Sequence, residues 1–137
     1  MRLSDVAGIA GLEVVRDGEF KALGLLSYKC NLLLVQLYDA KYASAIKQNS
    51  SISCVITTKT LVEKVPEHIA VAVSSDPSVA FYTLHGHLIG HTNFYWDNNF
   101  DSDIAPSANI HEAAYIAKQN VRIGEGSIVE PNVTIHE

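Results

Sequence analysis

The sequence has few charged residues and few cysteines, and its composition is that of an ordinary globular protein. Only 18% of its 137 residues are charged, its net charge is −5, and its ten Lys and Arg residues form no cluster. Without a basic patch there is no electrostatic footprint for DNA or RNA, so nucleic acid is not an expected partner. The two cysteines, Cys30 and Cys54, lack the spacing of a metal or disulfide framework, and we interpret both as core or half-buried thiols.

Long apolar runs are also missing. The run at residues 32–37 is far shorter than the roughly 20 residues of a membrane-spanning helix, and the N-terminus lacks a basic start followed by an apolar stretch. We therefore expect no membrane span and a cytoplasmic protein. The apolar content of 47% is enough for a real core in one domain or two small ones.

Near the C-terminus an aliphatic residue returns every six positions, with one seven-residue step. The series is Ile104, Ile110, Ile116, Ile123, Val129 and Ile135. Neither the helical period of about 3.6 nor strand alternation gives this return, whereas a triangular coil with one short strand per side does. Gly124, Gly126, Asn120 and Asn132 fit its corners because they tolerate positive φ. Residues 101–137 are thus predicted to begin a parallel β-helix, the alternative being unrelated short strands in a sandwich.

The predicted β-helix is short. Its repeats amount to fewer than two full coils, whereas solenoids of this kind need about three or more repeats and a cap. We therefore expect the chain to be the front part of a longer protein, or its open end to be covered by another chain.

The preceding residues, 1–100, alternate strand and helix patterns. Buried strands at residues 32–37 and 52–57 flank a helix at residues 39–48 capped by Asp39, which is a β-α-β unit. The sequence therefore predicts a small mixed α/β domain, with a boundary near Asp101.

Shorter signals surround this unit. Strands at residues 12–15 and 20–26 are predicted to form a hairpin around the turn Arg16-Asp17-Gly18. Residues 69–73 form a further predicted strand, and a helix begins at Asp76-Pro77, where proline suits the first turn.

Five stretches together resemble a known family. They are Leu3-Ser4-Asp5-Val6-Ala7, Asp17-Gly18-Glu19, Asp39-Ala40-Lys41-Tyr42, Asp76-Pro77 with Ala80-Phe81, and Ile104-Ala105-Pro106-Ser107-Ala108, the strongest of them. Over nearly its whole length the chain resembles the UDP-3-O-acylglucosamine N-acyltransferases of lipid A biosynthesis. The resemblance implies a homotrimer, with a small uridine-binding domain in front of a left-handed parallel β-helix.

The resemblance also implies a nucleotide site. In that family two aromatic side chains and an Asn hold the uracil ring, and Gln36, Asp39 and Tyr42 occupy the corresponding positions, with only Tyr42 identical. Stacking by Tyr42 and hydrogen bonding by Asp39 are the implied contacts. The residues alone also fit an N-cap for Asp39 and first-turn packing for Tyr42, and both interpretations stay open.

The implied reaction is transfer of an acyl or acetyl group to a nucleotide-linked sugar. The substitutions at Gln36 and Asp39 favour a relative that acts on nucleotide-linked or surface-polysaccharide sugars, with acetyl-CoA or an acyl carrier protein thioester as donor and no bound cofactor. The general base would be a coil histidine outside this chain, since His111 and His136 are interpreted as solvated corner residues. The alternative function is a non-catalytic module for nucleotide binding or trimerisation.

Two other groups of residues invite functional interpretations. His85, His87 and His91 suggest a metal, but on a helix the first two point apart and His85 and His91 are off one face, so no metal site is predicted. The aromatic cluster Phe94-Tyr95-Trp96 with Phe100 fits either a ligand groove or a plug over the end of the β-helix, and we favour the plug.

Overall fold

The computed structural model describes residues 1–95 and 100–137 and divides into two compact units, Met1–Tyr95 and the part that follows it. Tryptophan 96, part of the predicted aromatic plug, lies outside the described residues. Each unit is described by itself.

A five-stranded sheet forms the first unit. Its strands are β1 (Glu13–Arg16), β2 (Ala22–Leu23), β3 (Leu33–Leu37), β4 (Ile52–Thr57) and β5 (Ala70–Val73). Their spatial order is β1-β5-β4-β3-β2, with β2 to β5 parallel and β1 antiparallel to β5 at the edge. The apolar run at residues 32–37 and the β-branched run at residues 52–57 predicted β3 and β4 correctly, because strands buried on both faces are nearly continuous apolar sequences.

Helical segments join β3 to β4 and β4 to β5. Between β3 and β4 the chain forms a 3₁₀ helix at Ala40–Tyr42 and helix α2 at Ala43–Gln48, which confirms the predicted β-α-β unit. A second 3₁₀ helix at Lys59–Lys64 joins β4 to β5.

Both faces of the sheet are buried because successive side chains of a strand point to opposite sides. Leu34 of β3 and Ile56 of β4 pack beneath α1 (Leu3–Val6) and α3 (Pro77–His91). On the other face, Leu33, Val35 and Leu37 pack against Ile46 of α2. Helix α3 begins as predicted, with an Asp76 Oδ1 that accepts the N–H groups of Ser78 and Val79, both at 3.0 Å.

The predicted hairpin around Arg16-Asp17-Gly18 is wrong. Strand β1 pairs with β5 and β2 pairs with β3, so the strands on either side of this turn are not partners. Gly18 lies so close to β5 that a Cβ added there would be 2.5 Å from Ala70 Cβ. The turn thus packs on the sheet, and its local turn chemistry does not decide which strands pair.

The second unit has six short strands, and each of the first three pairs with the strand three places further along the chain. The strands are β6 (Asp103–Ile104), β7 (Asn109–Ile110), β8 (Tyr115–Ile116), β9 (Arg122–Ile123), β10 (Ile128–Val129) and β11 (Thr134–Ile135). The pairs β6/β9, β7/β10 and β8/β11 are all parallel and place one aliphatic residue beside another, as in Ile110 beside Val129. Ile110, Ile116, Val129 and Ile135 gather in one cluster with the buried Val121 and Ile123, whereas Ile104 is exposed.

Asparagine and glycine occupy the left-handed backbone positions of this unit. Asn120 and Asn132 both have a φ of 63°, and Gly126 has a φ of 66°. These are three of the four predicted corner positions; Gly124 is not among the residues with positive φ. The left-handed β-helix itself stays a prediction, which the three-strand step in the pairing favours.

Candidate functional site

A pocket of about 370 Å³ opens at the carboxyl ends of β2 and β3. It is lined by Gly24, Leu25, Leu26, Ser27, Gln36, Tyr38, Tyr42 and Ala45. Ligands of open α/β sheets bind outside the carboxyl ends of the strands, because loops and side chains converge there. We refer to it as the β3 pocket; its walls are mainly apolar, and Gln36 provides the only side-chain amide among the residues that line it.

Gln36 carries an unsatisfied hydrogen-bonding group. Its Oε1 is buried and accepts no hydrogen bond within the described part of the chain. A buried polar atom without a partner costs about 1–3 kcal/mol, so such atoms are rare in folded proteins. Because an amide has both an acceptor and two donors, Gln36 can pair with a ligand edge that offers both kinds of group.

Two tyrosines form the aromatic part of the β3 pocket. The ring centroids of Tyr38 and Tyr42 are 5.3 Å apart, and the ring planes are inclined by 61°. Tyr38 is 52% exposed, whereas Tyr42 is half-buried against the core on the α2 side of the sheet. An aromatic ring that is fixed on one side and open on the other is suited to stack a planar ligand.

A positive charge lies beside these rings. Lys41 Nζ is 4.9 Å from the centroid of the Tyr42 ring and 3.2 Å from Asp39 Oδ2. The Asp39 carboxylate raises the pKa of Lys41, so the ammonium group is firmly charged. An anionic part of a ligand bound at Tyr42 would therefore meet a cation.

Asp39 has a structural role here. Its Oδ1 accepts the N–H of Lys41 at 2.9 Å and so caps the 3₁₀ helix that follows β3. This hydrogen bond, together with the Lys41 side chain, lowers the pKa of Asp39. Of the three predicted nucleotide-binding residues, Gln36 and Tyr42 line the β3 pocket and Asp39 does not.

Sequence reasoning missed Tyr38. It follows directly on β3 and precedes the 3₁₀ helix that carries Tyr42, and the two rings are in contact. An exposed aromatic residue at the carboxyl end of a parallel strand was the signal that could have identified it.

The coil histidines lie at exposed positions, as predicted. His111 follows β7, and its Nδ1 accepts the N–H of Ala113 at 3.0 Å. The ring of His136 lies 6.0 Å from that of Tyr115. Among the described residues, no group of three or more His, Cys, Asp and Glu side chains is arranged to hold a metal ion.

The aromatic cluster that follows α3 does not act as one group. Phe94 packs on Phe20, with ring centroids 5.6 Å apart, and Tyr95 packs on His85, so both belong to the first unit. Phe100 lies in the second unit, with the guanidinium of Arg122 at 4.5 Å from its ring centroid. Core packing of the first unit therefore accounts for Phe94 and Tyr95, and the plug stays a prediction.

No family model matches the chain, and no curated protein is similar enough to match it. Within the described residues, no helix is both long and apolar enough to cross a bilayer.

Proposed function

We propose that the β3 pocket binds the base of a nucleotide-linked sugar and that this chain is the substrate-recognising portion of a sugar acyltransferase. The observation that carries the proposal is the convergence of Gln36, Tyr38 and Tyr42 in one pocket at the carboxyl edge of the sheet. The proposal needs three kinds of contact, with the base face, the base edge and the phosphates.

The base face stacks on tyrosine. Tyr42 offers a ring held from one side, and Tyr38 stands at its edge. Stacking of a base on an aromatic side chain contributes about 1–3 kcal/mol. This contact alone does not distinguish one base from another.

The base edge pairs with Gln36. Uracil presents an N–H donor beside a carbonyl acceptor, and an amide presents the complementary acceptor and donor. The N–H of the base would satisfy the buried Oε1 of Gln36, which has no donor within the described residues. Adenine also offers a donor beside an acceptor, so the choice of uridine as the proposed nucleoside rests on the family resemblance.

The phosphates face Lys41. The Lys41 side chain is 62% exposed and its ammonium group adjoins the Tyr42 ring, so it can attract a diphosphate while remaining hydrated. The proposed acceptor substrate is accordingly a uridine diphosphate sugar.

Two features of the second unit support the acyl-transfer part of the proposal. An aliphatic residue recurs about every six positions, and strands three places apart in the chain pair in parallel. The donor would be an acetyl-CoA or acyl carrier protein thioester, and a trimer of left-handed β-helices would bring the reactants together. Acyl transfer needs a general base; His111 is not proposed for this role, because its Nδ1 is engaged by its own turn.

Calorimetric titration with UDP and UDP-N-acetylglucosamine tests the nucleotide site. We expect saturable binding that Tyr42→Ala or Tyr38→Ala weakens about tenfold to a hundredfold, the loss of one stacking contact. Tyr82→Ala is the control, because Tyr82 is an exposed tyrosine of α3 that does not line the pocket. Absence of binding by the unmodified chain would refute the uridine assignment.

Gln36→Leu separates a ligand role from a structural one. Replacing an unsatisfied buried amide by an apolar group should raise the free energy of unfolding by about 1 kcal/mol while it weakens UDP binding. If the variant instead is less stable and binds UDP normally, Gln36 is a structural residue.

A further inference from the structure

A second cavity opens at the same edge of the first unit's sheet as the β3 pocket. It encloses about 440 Å³ beyond the carboxyl ends of β4 and β5, next to the start of β1. We refer to it as the β5 pocket. Among the described residues that line it none is aromatic, and most carry a polar side chain: Glu13, Thr58, Lys59, Thr60, Ser74 and Ser75. The nucleotide contacts proposed above use none of these groups.

The strand register places the two pockets along one row. The last residues of β3, β4 and β5 pair side by side. The residues that follow them are Tyr38 in the β3 pocket and Thr58 and Ser74 in the β5 pocket. Adjacent strands lie about 4.8 Å apart, so Tyr38 and Ser74 are separated by two strand spacings, on the order of 10 Å. A ribose and a diphosphate can span that distance between a base and its sugar.

Two threonine hydroxyls of the β5 pocket are not used by the local backbone. Thr58 is the N-cap of the 3₁₀ helix Lys59–Lys64, yet its side chain caps no N–H group. Its Oγ1 instead lies 3.0 Å from Oγ1 of Thr60. A hydrogen bond between two hydroxyls uses one of their two hydrogens, so the pair keeps a donor and acceptor lone pairs. A sugar hydroxyl both donates and accepts, and is therefore complementary to this pair.

An ion pair forms another part of the β5 pocket. Lys59 Nζ is 3.1 Å from Glu13 Oε2, and the two side chains are 75% and 65% exposed. Such an exposed pair contributes little to stability, so either group can turn towards a ligand at small cost. A carboxylate accepts hydrogen bonds from sugar hydroxyls, and an ammonium group donates to them.

The charges favour a neutral ligand over a phosphate in the β5 pocket. Helix α3 begins two residues after Ser75, but its first free N–H groups are accepted by Asp76 Oδ1 and are not open to an anion. The Glu13 carboxylate balances the charge of Lys59. The pocket thus offers donors and acceptors without a net positive charge, as a polyhydroxylated ring requires.

We propose that the β5 pocket holds the sugar ring of the nucleotide-linked sugar whose base stacks in the β3 pocket. This assignment rests on the proposed function. The hydroxyls of Thr58 and Thr60 bind ring hydroxyls, Glu13 accepts from the ring and Lys59 donates to it. The base is then recognised at the end of β3 and the sugar at the ends of β4 and β5.

Parallel titrations of the full chain with UDP and with UDP-N-acetylglucosamine test the assignment. Thr60→Val keeps the shape of the side chain and removes one hydroxyl, so it should weaken binding of the nucleotide sugar about fivefold, as expected for one lost hydrogen bond. Adding Glu13→Ala should raise the loss to about tenfold or more. The affinity for UDP should stay unchanged, which also shows that the variants are folded. Thr83→Val is the control, because Thr83 is an exposed threonine of α3 that lines neither pocket.

The two proposals fail in different ways. If the Thr60 and Glu13 variants bind both ligands as the unmodified chain does, the sugar assignment is wrong and the nucleotide site stands. Equal weakening for both ligands would also overturn the assignment, because the residues would then act on the nucleotide or the fold. If the unmodified chain binds neither ligand, the nucleotide site itself is refuted, and the sugar assignment with it.

Amide resonances of the unmodified chain give a test without substitutions. UDP-N-acetylglucosamine should shift the amides of Thr60, Ser74 and Ser75, and UDP should not. Both ligands should shift Tyr38 and Tyr42. Shifts confined to the β3 pocket with both ligands would show that the sugar lies elsewhere and would overturn the assignment.

Discussion

Asp17 shows how much one exposed carboxylate can organise. Its oxygens accept hydrogen bonds from Arg2 Nε at 2.8 Å, from the Ser4 hydroxyl at 2.9 Å and N–H at 3.1 Å, and from the Gly18 N–H at 2.9 Å. These contacts, the Arg2 hydrogen bond first among them, lower the pKa of Asp17 from 3.8 to about 2. The turn before β2 is thereby tied to α1 at the N-terminus.

This shift predicts a pH dependence of stability. Because the pKa of Asp17 is lower in the folded chain, its contribution is fully present above about pH 5 and is lost as the pH falls through 3.8 towards about 2. Asp17→Asn should therefore be less stable at pH 7, and its melting temperature should approach that of the unmodified chain near pH 2. Melting curves between these pH values measure the difference, with Glu67→Gln, an exposed carboxylate before β5, as control. Parallel pH profiles for Asp17→Asn and the unmodified chain would contradict this role.

The candidate site could be predicted in part at this scale. Capping by Asp39 follows from a partner two residues away, and such short-range contacts are visible in sequence. The position of Gln36 in the pocket depends on Gly24 to Ser27, which reach it only through the pairing of β2 with β3. Tyr38 could have been noticed as an aromatic residue directly after a strand, but its place in the pocket depends on the same strand pairing.

At the scale of the element, the sequence predicted those helix and strand positions that depend on residues close together in the chain. Strand β4 and the start of α3 agree with the sequence, because β-branched residues and an Asp-Pro cap act within a few positions. Strand β2 was predicted at residues 20–26 but pairs only at Ala22–Leu23, and β1 joins β5 across more than fifty residues of sequence. Strand pairing is a long-range outcome that turn chemistry does not determine.

The corners of the second unit allow a test of one backbone position. Asn132 has a φ of 63°, a region in which residues with a Cβ are strained and Asn and Gly are tolerated. We expect Asn132→Ala to lower the free energy of unfolding by about 1–2 kcal/mol, and Asn132→Gly to leave it nearly unchanged. Urea denaturation followed by circular dichroism measures both. Asn109→Ala, the same change on a strand, should cost less than about 0.5 kcal/mol; an equal cost at both positions would mean that backbone strain is not the cause.

At the scale of the whole chain, the two units differ in how much they bury. The first has two apolar clusters, one on each face of its sheet, and it contains the β3 pocket. In the second, Val121, Ile123 and Val129 are the buried core residues among those described. Since a small core seldom offsets the entropy of folding, the two units should differ in independent stability.

We therefore expect a fragment of residues 1–95 to fold cooperatively, because both of its clusters are formed from its own side chains. It should melt as a single transition and bind UDP with the affinity of the full chain. A fragment of residues 100–137 should show no cooperative transition, because solenoid strands need about three or more stacked repeats to bury a continuous core. Circular dichroism and calorimetry of both fragments test this. An unfolded first fragment would mean that its sheet depends on contacts with the rest of the chain, and the β3 pocket would then have to be studied only in the intact protein.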